Sequence, residues 1–341
     1  MLISMFGRDY VPGRDRFFVI MRRKGLMLPK PKPRHTTNSN HRYHKWKNLI
    51  KNNIPASANQ LWVADITYIA LANGDVCYRH LITDAYSHMI YSTELHRQEA
   101  VRHSFRKDLN VEVVGYPDAD LFLNYQPSDE VVWKKQDHPK KRLIWAPHCA
   151  IPSHHRTHVA TVSNFLWMAD LMLSIADKYK DVLQIAFKPH PFLISRLYGH
   201  TGWGKERTNA YYQQWAEGEN TQLEQTGFVD LFMTSDAMIH DCFSFLVEYH
   251  YTQKPVMYVQ SHDHEHVDQL NALGKQALAV HYQGKDEAAL IDFIERVVLA
   301  GEDPMRPQRK QFYQENLIPP MGPSVTQATV EIIMKGLKKF E

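Results

Sequence analysis

Residues 235–259, SDAMIHDCFSFLVEYHYTQKPVMYV, lie at the centre of the pattern that decides the fold. The stretch begins at the end of a strand-like run, VDLFMTS (229–235), and continues into a helical segment, DCFSFLVEYHYTQ (241–253). A second strand-like run, KPVMYVQ (254–260), follows directly. A strand, a helix and a further strand in this order predict a βαβ unit with parallel strands.

The same alternation extends to both sides of this stretch. Two further runs have the apolar, β-branched and aromatic composition of buried strands: RLIWAP (142–147) and VLQIAFKPHP (182–191). Three further segments have helical spacing of apolar residues: 162–179, 206–218 and 286–301. Ser163 is the expected N-cap of the first of them. The sequence therefore predicts an α/β domain with a parallel, doubly wound sheet.

The charge of the chain is distributed unevenly. Among 341 residues the formal net charge is only +3, yet residues 1–60 hold 13 Lys and Arg and two acids, Asp9 and Asp15. The first 60 residues thus carry +11 and the remainder −8. Such asymmetry indicates two pieces of different origin, of which only the first is suited to polyanions.

The N-terminal piece has its own local pattern. Residues 14–28 suit a short amphipathic helix, and the proline-rich residues 29–40 predict extended chain. LWVADITYIAL (61–71) predicts a buried strand, and NGD predicts a hairpin turn. VCYRHLITDAYSHMIYSTEL (76–95) is expected to continue as one strand with Asp84 at its middle.

Composition excludes several classes of protein. No run of 18 apolar residues occurs, and a charge interrupts the apolar N-terminus early, so neither a membrane span nor a signal peptide is expected. The three cysteines, Cys77, Cys149 and Cys242, form no CxxC pair, which fits a reducing cytoplasm. The basic tail MKGLKKF (334–340) makes peripheral contact with an anionic membrane a hypothesis, with a solvated helix end as its alternative.

Four blocks of the N-terminal piece resemble insertion-element transposases of the integrase type. They are GRDRFFVIMRRKGL (13–26), RHTTNSNHRYHKWKNLI (34–50), NQLWVADITYI (59–69) and LITDAYSHMIY (81–91). The resemblance covers about residues 12–95 and implies a helical segment followed by a ribonuclease-H-like core. It also implies DNA integration, and the basic residues 14–51 are a candidate for nonspecific nucleic-acid binding.

By this resemblance Asp65 corresponds to the first of three metal-binding carboxylates. The chemistry needs all three, because two divalent ions must be held about 4 Å apart. The blocks that carry the second and third carboxylates do not occur in this sequence. We therefore expect an incomplete fold, no metal site, and Asp65 as a leftover carboxylate at a strand end.

From about residue 103 onward the sequence resembles the CDP-glycerol:polyglycerophosphate glycerophosphotransferases of teichoic-acid synthesis. The blocks are VVGYPDADLFL (113–123), RLIWAPH (142–148), IAFKPHP (185–191) and the stretch 235–259. The resemblance implies a GT-B-like fold, of which this chain supplies the Rossmann-type domain that binds the nucleotide donor. We therefore expect four parts: 1–60, basic; 61–95, truncated core strands; 96–130, junction and linker; and 131–341, the donor domain.

Polar residues after the expected strands are the candidate donor site. Lys188 and His190 follow a strand, where ligands bind in open α/β sheets. The resemblance implies that His190 is an essential, catalytic histidine; a structural loop held by its flanking prolines is the alternative. His148 is a weaker candidate for the same cleft.

The motif 235–259 adds further candidates. Asp241 is expected to cap the helix that follows it, and Ser244 lies in its first turn, where helix N–H groups can bind phosphate. Ser235 belongs to the same motif and is also assigned to donor binding. Glu248 lies one turn beyond Ser244, either reaching the donor's hydroxyl groups or forming a solvated helix charge.

Two histidine clusters are alternatives to this site. His262, His264 and His266 alternate in SHDHEH (261–266), as zinc ligands on a strand would, and His154, His155 and His158 flank Arg156. We interpret both as polar loops, and expect no metal and no cofactor.

The function that this resemblance implies is a polyol-phosphate transferase of cell-wall or capsular polymer synthesis, with a CDP-polyol donor and a polymer or lipid-linked acceptor. The family's acceptor domain carries a base in an HG-containing loop, and no HG dipeptide occurs here. We therefore expect donor binding with little or no transfer, and whether the chain is an enzyme stays open. The alternative is a catalytically incomplete DNA-binding fragment of a transposase.

Overall fold

The computed structural model of the protein describes residues 62–70, 76–84, 89–103, 111–116, 118–127, 132–152, 162–225, 227–260 and 270–337. Of residues 62–70 and 76–84 only the backbone is described. All of these residues belong to one structural unit, Ile54–Glu341. The basic segment 14–51 and the two histidine clusters interpreted above as polar loops lie outside the described residues.

A six-stranded parallel sheet forms the centre of the unit. Its strands are β5 (Lys141–Ala146), β6 (Leu183–Phe187), β7 (Thr221–Leu223), β8 (Ala237–His240), β9 (Val256–Val259) and β10 (Tyr282–Gly284). They lie in the order β10-β9-β8-β5-β6-β7, so the chain winds outward in one direction from β5 and then returns to wind outward in the other. This is the doubly wound order of Rossmann-type sheets, and it confirms the predicted α/β class.

Helices cover both faces of this sheet. In chain order the described helices are α1 (Glu94–His103), α2 (Ala119–Leu123), α3 (Phe165–Lys178), α4 (Leu193–Tyr198), α5 (Gly204–Glu217), α6 (Val229–Thr234), α7 (Phe245–Glu248), α8 (Ala272–Ala279), α9 (Glu287–Asp292), α10 (Arg306–Asn316) and α11 (Val325–Leu337). A 3₁₀ turn, Tyr249–Thr252, extends α7, and a π-helical segment, Phe293–Leu299, extends α9. No described helix combines the length and the apolar character needed to cross a bilayer.

The two faces of the sheet form two separate cores. Along β5, Leu143 and Trp145 join one cluster of buried side chains, while Ile144 and Ala146 join the other. Because successive side chains of a strand point to opposite faces, a strand buried on both sides reads as a continuous apolar run. This explains why RLIWAP was recognisable as a central strand.

Ahead of this sheet lies an antiparallel hairpin, as predicted. β1 (Trp62–Ala70) pairs with β2 (Val76–Asp84), with Trp62 opposite Asp84 and Ala70 opposite Val76. Three details of the prediction were wrong. Residues 76–95 do not form one strand, because β2 ends at Asp84 and α1 begins at Glu94. Asp65 lies inside β1, opposite Leu81, rather than at a strand end, and Asp84 ends β2 rather than lying at a strand's middle.

The expected linker, residues 96–130, contains regular structure. β3 (Met89–Tyr91) pairs in parallel with β4 (Val111–Val113), and α1 connects these two strands. Val114, Ala119 and Phe122 belong to one of the two sheet cores. The described part of the linker is thus built into the domain, because its apolar side chains have a sheet face to cover.

The segment VDLFMTS is a helix and not the predicted strand. It forms α6, and the sheet position is taken by β8, whose four residues are all buried. As a helix the segment directs Phe232 between Phe228 and Phe245, with ring centroids 5.2 and 5.0 Å away. Seven described elements were not predicted at all: β7, β10, α1, α2, α4, α8 and α10.

Candidate functional site

The point where the winding of the sheet reverses lies between β5 and β8. Strand β5 pairs with β6 on one side and with β8 on the other, and all three run in parallel. Their carboxyl ends therefore meet at one edge, followed by His148 after β5, His190 after β6 and Asp241 after β8. A crevice beyond the carboxyl ends at such a reversal is where open α/β sheets bind ligands.

Asp241 ties the loops of this edge together. Its side chain is buried, and its two oxygens accept hydrogen bonds from the backbone N–H groups of His148, at 2.6 Å, and Asn164, at 2.5 Å. Burial raises the pKa of Asp241 to about 6, although these two N–H groups oppose the rise. The prediction that Asp241 caps the helix that follows it was therefore wrong. Its carboxylate lies at the N-terminus of α3 instead.

The N-terminus of α3 supplies two further anchors. Asn164, rather than the expected Ser163, is the N-cap residue, and its side-chain amide donates to the carbonyl of Val259 at 2.9 Å. The Ser163 hydroxyl donates to the carbonyl of His148 at 2.8 Å. The sequence signal for Asn164 is the Ser-Asn pair immediately before an apolar helix.

His148 and His190 lie edge to face, with ring centroids 5.1 Å apart. The Nδ1 atom of His148 accepts the N–H of Ala150, and the Nδ1 atom of His190 accepts the N–H of Phe192, both at 3.1 Å. A neutral imidazole that accepts at Nδ1 carries its hydrogen on Nε2. The hydrogen-bond pattern thus assigns both rings as Nε2–H donors. One ring follows β5 and the other follows β6, at the same edge of the sheet.

Both rings favour the neutral form. Burial, and secondarily the charge of His190, lowers the pKa of His148 to about 4. Burial also lowers the pKa of His190. Hydrogen bonds donated to Nδ1 act in the same direction, because an imidazolium has no lone pair to accept them. At neutral pH the pair offers two N–H donors and no net charge.

Cys149 lies beside these two histidines, and one ligand atom from each of the three residues falls within 4.8 Å of the others. This is the spacing of a possible metal site. Ligation at Nε2 of either histidine would place its hydrogen on Nδ1, directly against the backbone N–H that donates there. The described hydrogen bonds therefore suit N–H donation to a ligand better than metal ligation.

Lys188 lies below the surface of this edge. The residue is 8% exposed, and its ammonium group donates to the carbonyl of Gly227 at 3.4 Å. Burial lowers the pKa of Lys188, and Glu224 partly offsets the change. Lys188 thus connects the loop after β6 with the loop before α6.

The other residues of the motif lie in different surroundings. Ser244 is exposed and is the N-cap of the four-residue helix α7, without a side-chain capping bond. Glu248 accepts a hydrogen bond of 2.5 Å from the hydroxyl of Tyr116, and burial raises the pKa of its carboxyl group. Glu248 is therefore not a solvated helix charge, and its bond to Tyr116, which sequence reasoning missed, joins the motif to the segment after β4.

The structure does not bring Ser235 to this edge. Ser235 precedes β8, whereas Asp241 follows it, so the two residues lie at opposite ends of the strand. The buried Ser235 hydroxyl bonds the carbonyl of Phe232 and the hydroxyl of Tyr249, both at 2.8 Å. Its contacts fasten α6 to the 3₁₀ turn after α7.

Three buried histidines form a chain directly behind Asp241. Nε2 of His240 lies 3.1 Å from Nε2 of His281, whose Nδ1 lies 3.3 Å from Nε2 of His250. Burial is the main cause that lowers the pKa of each ring, to about 4 for His240 and about 3 for His250. Sequence reasoning missed this chain, because three histidines up to 41 positions apart show no spacing signal.

The fold and the site together define a doubly wound, Rossmann-type α/β domain with a cluster of polar residues at the reversal of its sheet. No protein-family model matches the sequence. Among curated proteins, the chain is 36% identical over 109 residues to an insertion element IS600 uncharacterized 31 kDa protein of Shigella sonnei. That match spans 31% of this chain and 35% of the relative. It supports the insertion-element piece of the expected composite chain.

Solved structures with similarity to the chain include the wall teichoic acid polymerase TagF, at 16% identity and a TM-score of 0.46 over 74% of this chain and 59% of that one. A variant of TagF soaked with CDPG has 15% identity and a TM-score of 0.45, over 74% and 57% of the two chains. UDP-GlcNAc 2-epimerase from Neisseria meningitidis bound to UDP-GlcNAc has 15% identity and a TM-score of 0.44, over 73% and 61%. The chain thus spans about a third of the curated relative and less than two thirds of these structures.

Proposed function

We propose that the α/β domain is the donor-binding half of a transferase that moves a polyol phosphate from a CDP-polyol to a hydroxyl group. The acceptor would be a growing polymer, or a lipid-linked precursor, of a cell wall or capsule. The observation that carries the proposal is the pair of Nε2–H donors of His148 and His190 at the carboxyl edge of the sheet. The oxygens of a diphosphate can accept hydrogen bonds from both N–H groups. Such binding needs neither a metal ion nor a protonated histidine.

The chemistry assigns a role to each residue. An acceptor hydroxyl attacks the phosphorus that carries the polyol, the bond between the two phosphates breaks, and CMP leaves with the bonding electron pair. Negative charge then grows on the departing phosphate, where fixed N–H donors stabilise the transition state more than the ground state. His190 is the proposed catalytic donor, with His148 beside it. Asp241 positions the loop of His148, and Lys188 and Ser244 are proposed to add donors around the diphosphate.

Transfer itself is proposed to be impaired. The sequence supplies no acceptor-domain histidine in an HG loop to act as the base, and Glu248 is engaged by Tyr116. This chain should therefore bind the donor but turn it over slowly or not at all. Rapid transfer of glycerol phosphate by this polypeptide alone would contradict that part of the proposal.

The deciding experiment is calorimetric titration of the full chain with CDP-glycerol, with CDP as a parallel ligand. We expect His190→Ala and His148→Ala to weaken binding by about tenfold each, since a lost hydrogen bond to a charged group costs roughly 1.5 kcal/mol. His200→Ala is the matched control, because Gly202 N–H donates to its Nδ1 at 3.1 Å in the same local arrangement. A folded chain that binds neither ligand, or that binds equally well in all variants, would contradict donor binding.

The curated insertion-element match favours a second candidate, nonspecific nucleic-acid binding by the basic residues 14–51. Phosphate attraction needs only charge, so the affinity should fall steeply with salt and show no sequence preference. Deleting residues 1–53 should abolish retention on duplex DNA at low salt. Retention that survives the deletion would remove this candidate.

Peripheral membrane contact is proposed for the end of the chain. Helix α11 buries Val325, Ala328 and Ile332, yet leaves Val330, Ile333 and Met334 about half exposed. An exposed apolar stripe beside Lys335 suits the surface of an anionic bilayer. Co-sedimentation with anionic vesicles that Ile333→Ser does not reduce would contradict this contact.

A further inference from the structure

We infer that a basic groove at the amino-terminal edge of the sheet binds a flexible phosphate polymer, at a distance from the donor crevice. The groove is formed by KKQDHPKKR (134–142), a run that leads into β5, together with the residues that precede β8. Its main part has a volume of about 910 Å³, and a second part of about 470 Å³ adjoins it at Pro139, Lys140 and Asp236. The identity of the polymer as an acceptor rests on the proposed function.

The groove is positively charged, whereas the sequence after residue 60, to which it belongs, has a net negative charge. Five cations line it against two carboxylates, Asp137 and Asp236. The sequence after residue 60 has a balance of −8, so the basic run is a local concentration of positive charge. Such a concentration in a concave surface focuses the field on anions.

Local contacts already hold part of this charge in place. Lys141 forms an ion pair of 3.3 Å with Asp236, and Lys134 donates to the carbonyl of Gly218 at 2.6 Å. Arg142 lies over the ring of Trp133, 5.5 Å from its centroid. Lys135 and Lys140, by contrast, have no ion pair or side-chain hydrogen bond with any residue that the structure describes. These two ammonium groups are therefore the ones to neutralise in a test.

The shape and lining of the groove favour a flexible phosphodiester chain over the other polyanions. Single-stranded nucleic acids gain much of their affinity by stacking bases on exposed aromatic rings. Trp133 is the single Trp, Tyr or Phe among the described residues that line the groove, and it is only 2% exposed. A flat bilayer cannot bring its headgroups into a recess, whereas a narrow chain can enter it.

The groove also lies on the side of the sheet away from the reaction. Arg142 lies near the start of β5 and Asp236 precedes β8, while His148 and Asp241 follow the other ends of these strands. A polymer in the groove would be bound through phosphates distant from the end that carries the attacking hydroxyl group. Such binding would retain the polymer between successive additions without competing for the donor crevice.

The test measures binding of fluorescently labelled poly(glycerol phosphate) to the full chain by anisotropy at several salt concentrations. We expect Lys135→Ala combined with Lys140→Ala to weaken binding by about tenfold at low salt. The slope of log affinity against log salt should become shallower by about 1.4, since each of the two lost phosphate contacts on a flexible strand contributes about 0.7. Lys205→Ala combined with Lys275→Ala removes the same charge from exposed positions outside the groove and should leave binding unchanged.

Lysine footprinting distinguishes the groove from the basic residues 1–60. The polymer should protect Lys135 and Lys140 from acetylation, as read by mass spectrometry. Equal binding by the two double variants, or protection confined to residues 1–60, would overturn the inference. The inference would also be overturned if oligo(dT) or anionic vesicles displaced the polymer from the groove at a phosphate concentration below that of the polymer. CDP-glycerol calorimetry is a separate readout, so failure of the donor proposal would be recognised independently.

Discussion

Asp241 shows how one buried carboxylate sets the geometry of the candidate site. Its two oxygens hold backbone N–H groups of His148 and Asn164, which lie 93 and 77 positions away in the sequence. Through His148 it places one of the two Nε2–H donors, and through Asn164 it positions the start of α3. Asp241 thus positions the loop after β5, and any effect on the proposed donor would pass through this loop.

Replacing Asp241 by Asn should destabilise the domain by roughly 1–3 kcal/mol. The Asn side chain keeps one acceptor oxygen, but its NH₂ group then faces a backbone N–H, so one buried donor is left unsatisfied. Urea unfolding at neutral pH measures the change. Asp170→Asn is the control, because the Asp170 side chain is 81% exposed. An Asp241→Asn variant as stable as the wild type would show that the two hydrogen bonds do not anchor the site.

At the scale of elements, a capping contact fixes the last helix. The carboxylate of Asp120, in α2, accepts the N–H groups of Val325 and Thr326 at 2.7 and 2.9 Å and the hydroxyl of Ser324 at 2.9 Å. Partial burial tends to raise the pKa of Asp120, but these donors outweigh it and lower the pKa to about 2. A residue about 200 positions upstream therefore caps α11.

Removing this cap by Asp120→Ala should cost about 1 kcal/mol of stability at neutral pH. Because the folded pKa is depressed, the contribution is present above about pH 4 and is lost as the pH falls towards 2. The difference between variant and wild type in urea unfolding should therefore shrink between pH 5 and pH 2.5. Asp118→Ala, which removes an exposed carboxylate without a capping bond, is the control. A difference that is independent of pH would contradict the capping role.

Elements were predictable where the local pattern had one interpretation. β5, β6 and β9 are short apolar runs bounded by polar loops, and all three were recognised. VDLFMTS has the composition of a strand as well, but in the fold it is a helix, because β8 fills the sheet position next to β5. A six-residue apolar segment fits both structures, and its neighbours decide between them.

At the scale of the molecule, buried histidines should control the response to pH. His148, His240, His250 and His281 all have lowered pKa values, chiefly because burial disfavours the imidazolium. Such a group binds its proton more readily in the unfolded chain, so stability is lost as the pH falls from about 6.5 to about 4. The raised pKa values of Asp241 and Glu248 act in the opposite direction, but they are two groups against these four histidines.

We therefore expect the free energy of unfolding to decrease from pH 7 to pH 5, and His250→Gln to reduce that slope. One histidine fewer removes up to about 1.4 kcal/mol per pH unit between the two pKa values. Urea unfolding at pH 7, 6 and 5 measures it, with His138→Gln at an exposed position as the control. A slope unchanged in His250→Gln would mean that the buried ring is not neutral.

The composite organisation was evident from charge and motifs, since a balance of +11 in 60 residues and −8 in the rest is a property of composition. The boundary between the pieces was less evident. β3 belongs to the segment that resembles the transposases. β4 lies where the resemblance to the glycerophosphotransferases begins, yet the two strands pair. Strand pairing depends on what lies alongside in space, so the sequence motifs could not set this boundary.

The sequence by itself determined the α/β class, the central strands, the N-terminal hairpin and the placement of His148, His190 and Asp241 after strands. These follow from local periodicity and from the rule that parallel strands end at one edge. The tertiary structure alone decided what each polar group does: Asp241 anchors other loops, Glu248 bonds Tyr116, and Ser235 lies at the far end of its strand. The physical reason is that hydrogen-bond partners 14 to 132 positions away are brought together by packing, which a local sequence pattern does not encode.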